Sequence, residues 1–271
     1  MRSRPASRAL SALAAALLVA GLAACSDAAP AVKPAPTTAS APPEDDDARI
    51  DLAARAALAI DRRYTAVYTL DVAGQTPRSV MATVATDGSW RVDIPGGALG
   101  GTADVSVVQT EAGVFQCAIP SATNPVAPYC IHVADKGKQI PKRYDPKVQR
   151  VFRQWLSVFT DRQAALSVTG AQPLPGSSGQ CYSVDGISAS LAAPVDVGIY
   201  CYSDDGLLTA VRVDFGTLTI SGTPAAAPPT VDLPGPVAGG EPMGMSSPPP
   251  TTPPVTSSST SQQPSTAPSA G

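Results

Sequence analysis

Histidine is almost absent from this chain: His132 is its one copy in 271 residues. A Ser-His-Asp triad would have to be built on it, and no Gly-x-Ser-x-Gly elbow accompanies it. Gly176-Ser177-Ser178-Gly179 has the wrong spacing and lies between a proline and a predicted strand, so it reads as a loop. His132 alternates with Ile131 and Val133 and should face away from them, as a surface or hydrogen-bonded residue. The sequence has no His-Glu-x-x-His, no Cys-x-x-Cys and no other spacing that suits a metal. Asp45-Asp46-Asp47 lacks the spaced oxygens and the glycine of a calcium loop. Asp204 and Asp205 are not a catalytic acid pair, because adjacent strand residues point to opposite faces; with Gly206 they make a hairpin turn. The glycine-rich stretch 96–101 lacks the Gly-Lys-Ser/Thr ending of a phosphate loop, and no helical pattern follows it. The expectation is a non-enzyme with no cofactor and no metal.

Positive charge is also thin. Of 19 basic residues, Arg2, Arg4 and Arg8 fall in the first 24 positions, leaving 16 against 22 acids, a net charge of −6. No block of lysine and arginine tracks phosphates, so nucleic acid is not an expected partner. The densest basic stretch, Lys136, Lys138, Lys142 and Arg143, contains Gly137 and Pro141 and reads as a solvated loop.

The early arginines precede an apolar run, residues 9–22, too short for a membrane span and right for a secretory signal. It ends in Leu22-Ala23-Ala24-Cys25, which resembles a bacterial lipobox. The resemblance implies removal of residues 1–24, lipid on the Cys25 sulfur, and a protein held on the outer face of the cell membrane. Residues 25–47 are an Ala/Pro/Thr-rich linker closed by an acidic run, a semi-extended spacer of ~3 Å per residue. Residues 235–271 are Pro/Ser/Thr-rich, without charge after Glu241, and are expected to be disordered; their composition resembles O-glycosylated stalks. Residues 48–234 remain as one domain.

Export fits the remaining cysteines, Cys117, Cys130, Cys181 and Cys201. Four cysteines allow three pairings; neighbouring candidate strands favour Cys117–Cys130 and Cys181–Cys201. The domain opens with a helix from about Asp47 to Arg62-Arg63, whose apolar residues Ile50, Ala53, Ala54, Ala57 and Leu58 recur at helical spacing. Alternating segments then predict strands over 64–72, 79–86, 90–94, 104–110, 114–119 and 129–133, with Asp87-Gly88 as a hairpin turn. Asp145-Pro146 opens a second helix, with Val148, Val151, Phe152, Trp155, Leu156 and Phe159 on one face. Further strands are expected over 165–169, 180–184, 197–203, 207–214 and 217–221, and a last edge strand over 230–233.

Helix, antiparallel meander, helix and more strands, with the hairpins at 87–93 and 198–208, resemble the outer-membrane lipoprotein carriers and the mycobacterial lipid-binding lipoproteins of the LppX/LprG type. The resemblance covers residues 48–233. It implies an α+β fold: a curved antiparallel sheet, a half-barrel of ten or eleven strands, with helices packed on its concave face. It also implies a cavity for acyl chains, for which the candidate lining residues are Tyr68, Leu70, Trp90, Val92, Val151, Phe152, Trp155 and Phe159. The expected function is non-catalytic binding of a lipid or other amphiphile. The alternative is an envelope module with a filled core that binds or senses a protein partner.

Overall fold

The computed structural model describes residues 44–122, 124–187 and 193–247. The expected signal segment, Cys25, the expected linker before Glu44 and residues 248–271 lie outside the described residues. Eleven strands form one open antiparallel sheet: β1 (Tyr64–Asp71), β2 (Arg78–Val84), β3 (Trp90–Ala98), β4 (Ala103–Thr110), β5 (Gly113–Ile119), β6 (Tyr129–Ala134), β7 (Leu166–Ala171), β8 (Gln180–Gly186), β9 (Gly198–Tyr202), β10 (Leu208–Val213) and β11 (Gly216–Ala225). Their order is β6-β5-β4-β3-β2-β1-β11-β10-β9-β8-β7. The chain thus meanders outward from β1 to β6, and back inward from β7 to β11, which closes on β1. The strands follow the alternation: on β1, Tyr64, Ala66, Tyr68 and Leu70 are buried while Val67, Thr69 and Asp71 are exposed. β3 runs on through Pro95-Gly96-Gly97 to Ala98 by way of a shift in its register against β4.

Helix α1 (Glu44–Asp61) begins inside the acidic run assigned to the linker. Its buried stripe is Leu52, Ala56 and Ala59, whereas Ile50 and Leu58 are 62% and 50% exposed. The expected stripe is corrected because polar anchors set the roll of the helix. Arg49 donates to the carbonyls of Asp161, Arg162, Ala164 and Leu166. Arg55 pairs with Asp204 and Arg62 with Asp205. The Tyr182 hydroxyl donates to Asp51. Gly206 ends this turn with φ +81, and a Cβ there would sit 2.5 Å from the Ala59 nitrogen, so glycine is needed both for conformation and for close approach.

The second helix is broken where one continuous helix was expected. A 3-10 helix (Val148–Phe152) precedes α2 (Gln154–Thr160), with Arg153 at φ −137 between them and Lys147 in the left-handed region at φ +65. Asp145 does not cap a regular helix. Its Oδ1 accepts from the Lys147 amide at 2.8 Å and the Gln149 amide group at 2.7 Å, holding a tight turn. Arg153 is drawn toward α1, donating to the Ile60 carbonyl at 3.0 Å. The expected apolar stripe is nevertheless buried in full.

Cys117–Cys130 joins directly opposed residues of β5 and β6, and Cys181–Cys201 those of β8 and β9. The first packs with Ala85, Val108, Phe115 and Val231 in a cluster separate from the main core, the second with Leu174 and Ala210 in another. The bridges close loops of 13 and 20 residues. Each should contribute about 3 kcal/mol by restricting the unfolded chain. Cys181→Ser/Cys201→Ser is therefore expected to lower stability by about 3 kcal/mol, read as an earlier urea midpoint under oxidising conditions; an unchanged midpoint would refute the assignment.

No strand forms at 230–233, and residues 235–247, assigned to a disordered tail, are held to the domain. Pro228 and Pro229 carbonyls accept from the Thr86 and Asp87 amides, and the Pro236 carbonyl from the Cys130 amide. Met243 is bound through its backbone to Gln116, and Gly244 and Met245 accept from Leu99 and Gly100. The physical reason is that proline cannot donate to a ladder but keeps its acceptor. The segment therefore lies as a strap across turns and the β6 edge, not as a strand.

Candidate functional site

All eight residues expected to line a cavity are buried, none more than 5% exposed, in one continuous core cluster. Phe152 packs edge-on against Tyr68, with ring centroids 4.9 Å apart, and Phe159 against Tyr200 at 5.0 Å. The Tyr68 hydroxyl donates to the Leu208 carbonyl at 2.9 Å. Trp155 donates to Asp196 at 3.2 Å, and the Arg150 guanidinium lies over its ring. Burial raises the Asp196 carboxyl, an effect that Arg150 opposes. Val151, Phe152 and Phe159 of the broken helix thus lie inside the same core cluster as the strand residues.

Open space is found at the ends of the sheet. At the end where β3 starts, Trp90 and Trp155 line a cleft of about 290 Å³ with the polar residues Gln109, Lys138, Gln139 and Arg153. A hollow of about 440 Å³ beside His132 and Arg143 is lined mainly by polar surface. His132 is exposed, with its ring edge-on to Phe115.

At the opposite end, where β1 and β3 finish and β2 and β11 start, lies a cleft of about 360 Å³. Its apolar wall combines Leu70, Val72, Ile94, Val148, Phe215 and Met245; Arg78, Lys142, Asp145 and Lys147 are its charged residues. Leu70, Ile94 and Val148 are core residues seen end-on, and Phe215 occupies the two-residue turn between β10 and β11. Met245 arrives on the strap. Asp145 is 4% exposed, and its Oδ2 receives Arg150 Nη2 at 2.5 Å and Nε at 2.8 Å.

Of the expected lining residues, only Leu70 belongs to this cleft. Sequence reasoning missed Arg78, Lys147, Phe215 and Met245, and placed Lys142 in a solvated loop. Their convergence comes from four separate segments and leaves no local pattern. Arg49 of α1 reaches Leu166 at the start of β7, and Arg62 reaches Asp205 in the turn between β9 and β10.

Among the described residues no group of three or more His, Cys, Asp or Glu is placed to hold a metal ion. No helix among them is long and apolar enough to cross a membrane, and the two disulfides fit an oxidising compartment. The chain matches no known family model and no curated protein.

Proposed function

We propose that this is a membrane-tethered, extracytoplasmic, non-catalytic lipoprotein. In this reading the sheet curls as a half-barrel around its helices, and the apolar part of an amphiphile enters the cleft at Leu70, Ile94 and Phe215. The observation that carries the reading is the cleft itself: an apolar wall open at one end of a filled core. Its volume of about 360 Å³ falls in the range of roughly 300–1,000 Å³ common to small-molecule sites. Each methylene buried there would contribute ~0.8 kcal/mol. The lipobox and the disulfides support the address.

The test is native mass spectrometry on the Cys25→Ser chain, exported and purified without detergent. The expected result is extra mass released by organic solvent. A clean apo mass from a native-type host would shift the reading to the second one. That alternative, an envelope interaction or sensor module, is favoured by the filled core and by Ile50 and Leu58 standing exposed on α1.

A further inference from the structure

The cleft mouth is positively charged on a chain that is net acidic. Lys142, from the 3-10 turn Lys142–Tyr144, is exposed and makes no ion pair or side-chain hydrogen bond among the described residues. Arg78, the first residue of β2, has no carboxylate partner there. Its Nη1 donates to the carbonyls of Pro95 at 2.9 Å and Gly96 at 3.0 Å, and its Nε is buried without a partner. Gly96 holds φ +59, and a Cβ at that position would collide with Nη1, so the loop is shaped to receive the guanidinium. Lys147 reaches Asp214 at 2.8 Å, but both side chains are about half exposed, so this pair is weak. The one carboxylate in the cleft wall, Asp145, is already matched by Arg150.

An unmatched guanidinium and a free ammonium above an apolar wall form a two-part recognition surface. A partly buried cation without a counter-charge is unfavourable, and an anion that supplies one gains charge-assisted hydrogen bonds. We propose that the ligand of this cleft is an anionic amphiphile, with its carboxylate or phosphate head held by Arg78, Lys142 and Lys147 and its chain against Leu70, Ile94 and Phe215. This inference rests on the amphiphile-binding reading and adds the sign of the headgroup.

The test is calorimetric titration of the Cys25→Ser chain with dodecyl phosphate, with dodecyl maltoside as the neutral counterpart, and with inorganic phosphate as the head alone. Dodecyl phosphate should bind about tenfold or more tightly than either comparison, the size of one good charge-assisted contact. The exposed variant Lys142→Glu, which breaks no ion pair or side-chain hydrogen bond among the described residues, should lose most of that preference for the anionic ligand. Equal binding of the two dodecyl ligands would overturn the headgroup inference and leave the amphiphile reading standing. Equal binding of inorganic and dodecyl phosphate would mark a plain anion site and overturn the inference. Binding of none would overturn both readings.

Discussion

Asp145→Ala is expected to destabilise the domain by about 3–5 kcal/mol, the usual consequence of removing one partner from a buried ion pair. The carboxylate side chain is 2% exposed, and that of Arg150 is 17% exposed. Both oxygens are fully engaged: Oδ2 by two guanidinium nitrogens, Oδ1 by the Lys147 amide and Gln149. After the substitution the one ion-pair partner left to Arg150 among the described residues would be Asp196, at 3.4 Å. Gln149, fully buried with its Oε1 already unpartnered, would lose its acceptor as well. The left-handed turn at Lys147 would lose its tie, and Val148 would no longer be fixed in the cleft wall. Asp145→Leu combined with Arg150→Met should recover much of the loss, because replacing a whole buried pair is far milder than orphaning one charge. Urea unfolding of the single and double variants reads both results. A loss below about 1 kcal/mol for Asp145→Ala would show that water or local rearrangement satisfies Arg150.

Local pattern made the sheet legible and left its packing obscure. All eleven strands coincide with segments read as strands, and three of their turns fall at Asp87-Gly88, at Asp204 to Gly206 and before Gly216, where positive-φ glycine is chemically marked. The cysteines could be paired because each pair lies in two strands that neighbour each other in sequence, and such strands pair here. The roll of α1 was not legible, since Arg49, Arg55 and Arg62 find partners more than 100 residues away. The helix after Asp145 carries a good periodic stripe, but Asp145, which suggested its N-cap, instead holds the left-handed turn before a 3-10 helix, and the stripe is broken at Arg153. The strap was hidden by composition: a proline-rich segment looks unable to order itself, yet its carbonyls are acceptors for amides the sheet leaves free. The cleft followed from these last two features and from Phe215. It was invisible until the chain was folded.

Alkaline pH should unfold this domain cooperatively, through its tyrosines. Six of the seven are buried with hydroxyls pushed up from the ordinary value of 10.0: Tyr64, Tyr68, Tyr182, Tyr200 and Tyr202 chiefly by burial, and Tyr144 chiefly by its hydrogen bond to Glu241. Tyr64 is raised to about 12, and Tyr182 is raised further by donating to Asp51. A raised folded-state value means that the folded protein holds its proton more tightly than the unfolded chain does. The stabilisation is therefore complete below pH 10 and is lost as pH rises beyond it. Tyr64 alone corresponds to a loss on the order of 3 kcal/mol by pH 12. The other buried tyrosines act in the same direction, against a total stability of roughly 5–15 kcal/mol for an ordinary domain. Tyrosinate absorbance should consequently rise together with the collapse of the far-ultraviolet sheet signal, in one steep transition above pH 10. Titration of these hydroxyls near pH 10 with the sheet signal intact would refute the argument. Tyr202 sharpens it: its hydroxyl is buried with no hydrogen-bond partner. Tyr202→Phe removes an ionisable group and an unsatisfied one while keeping the ring, so it should move the alkaline transition to higher pH without weakening the fold at neutrality.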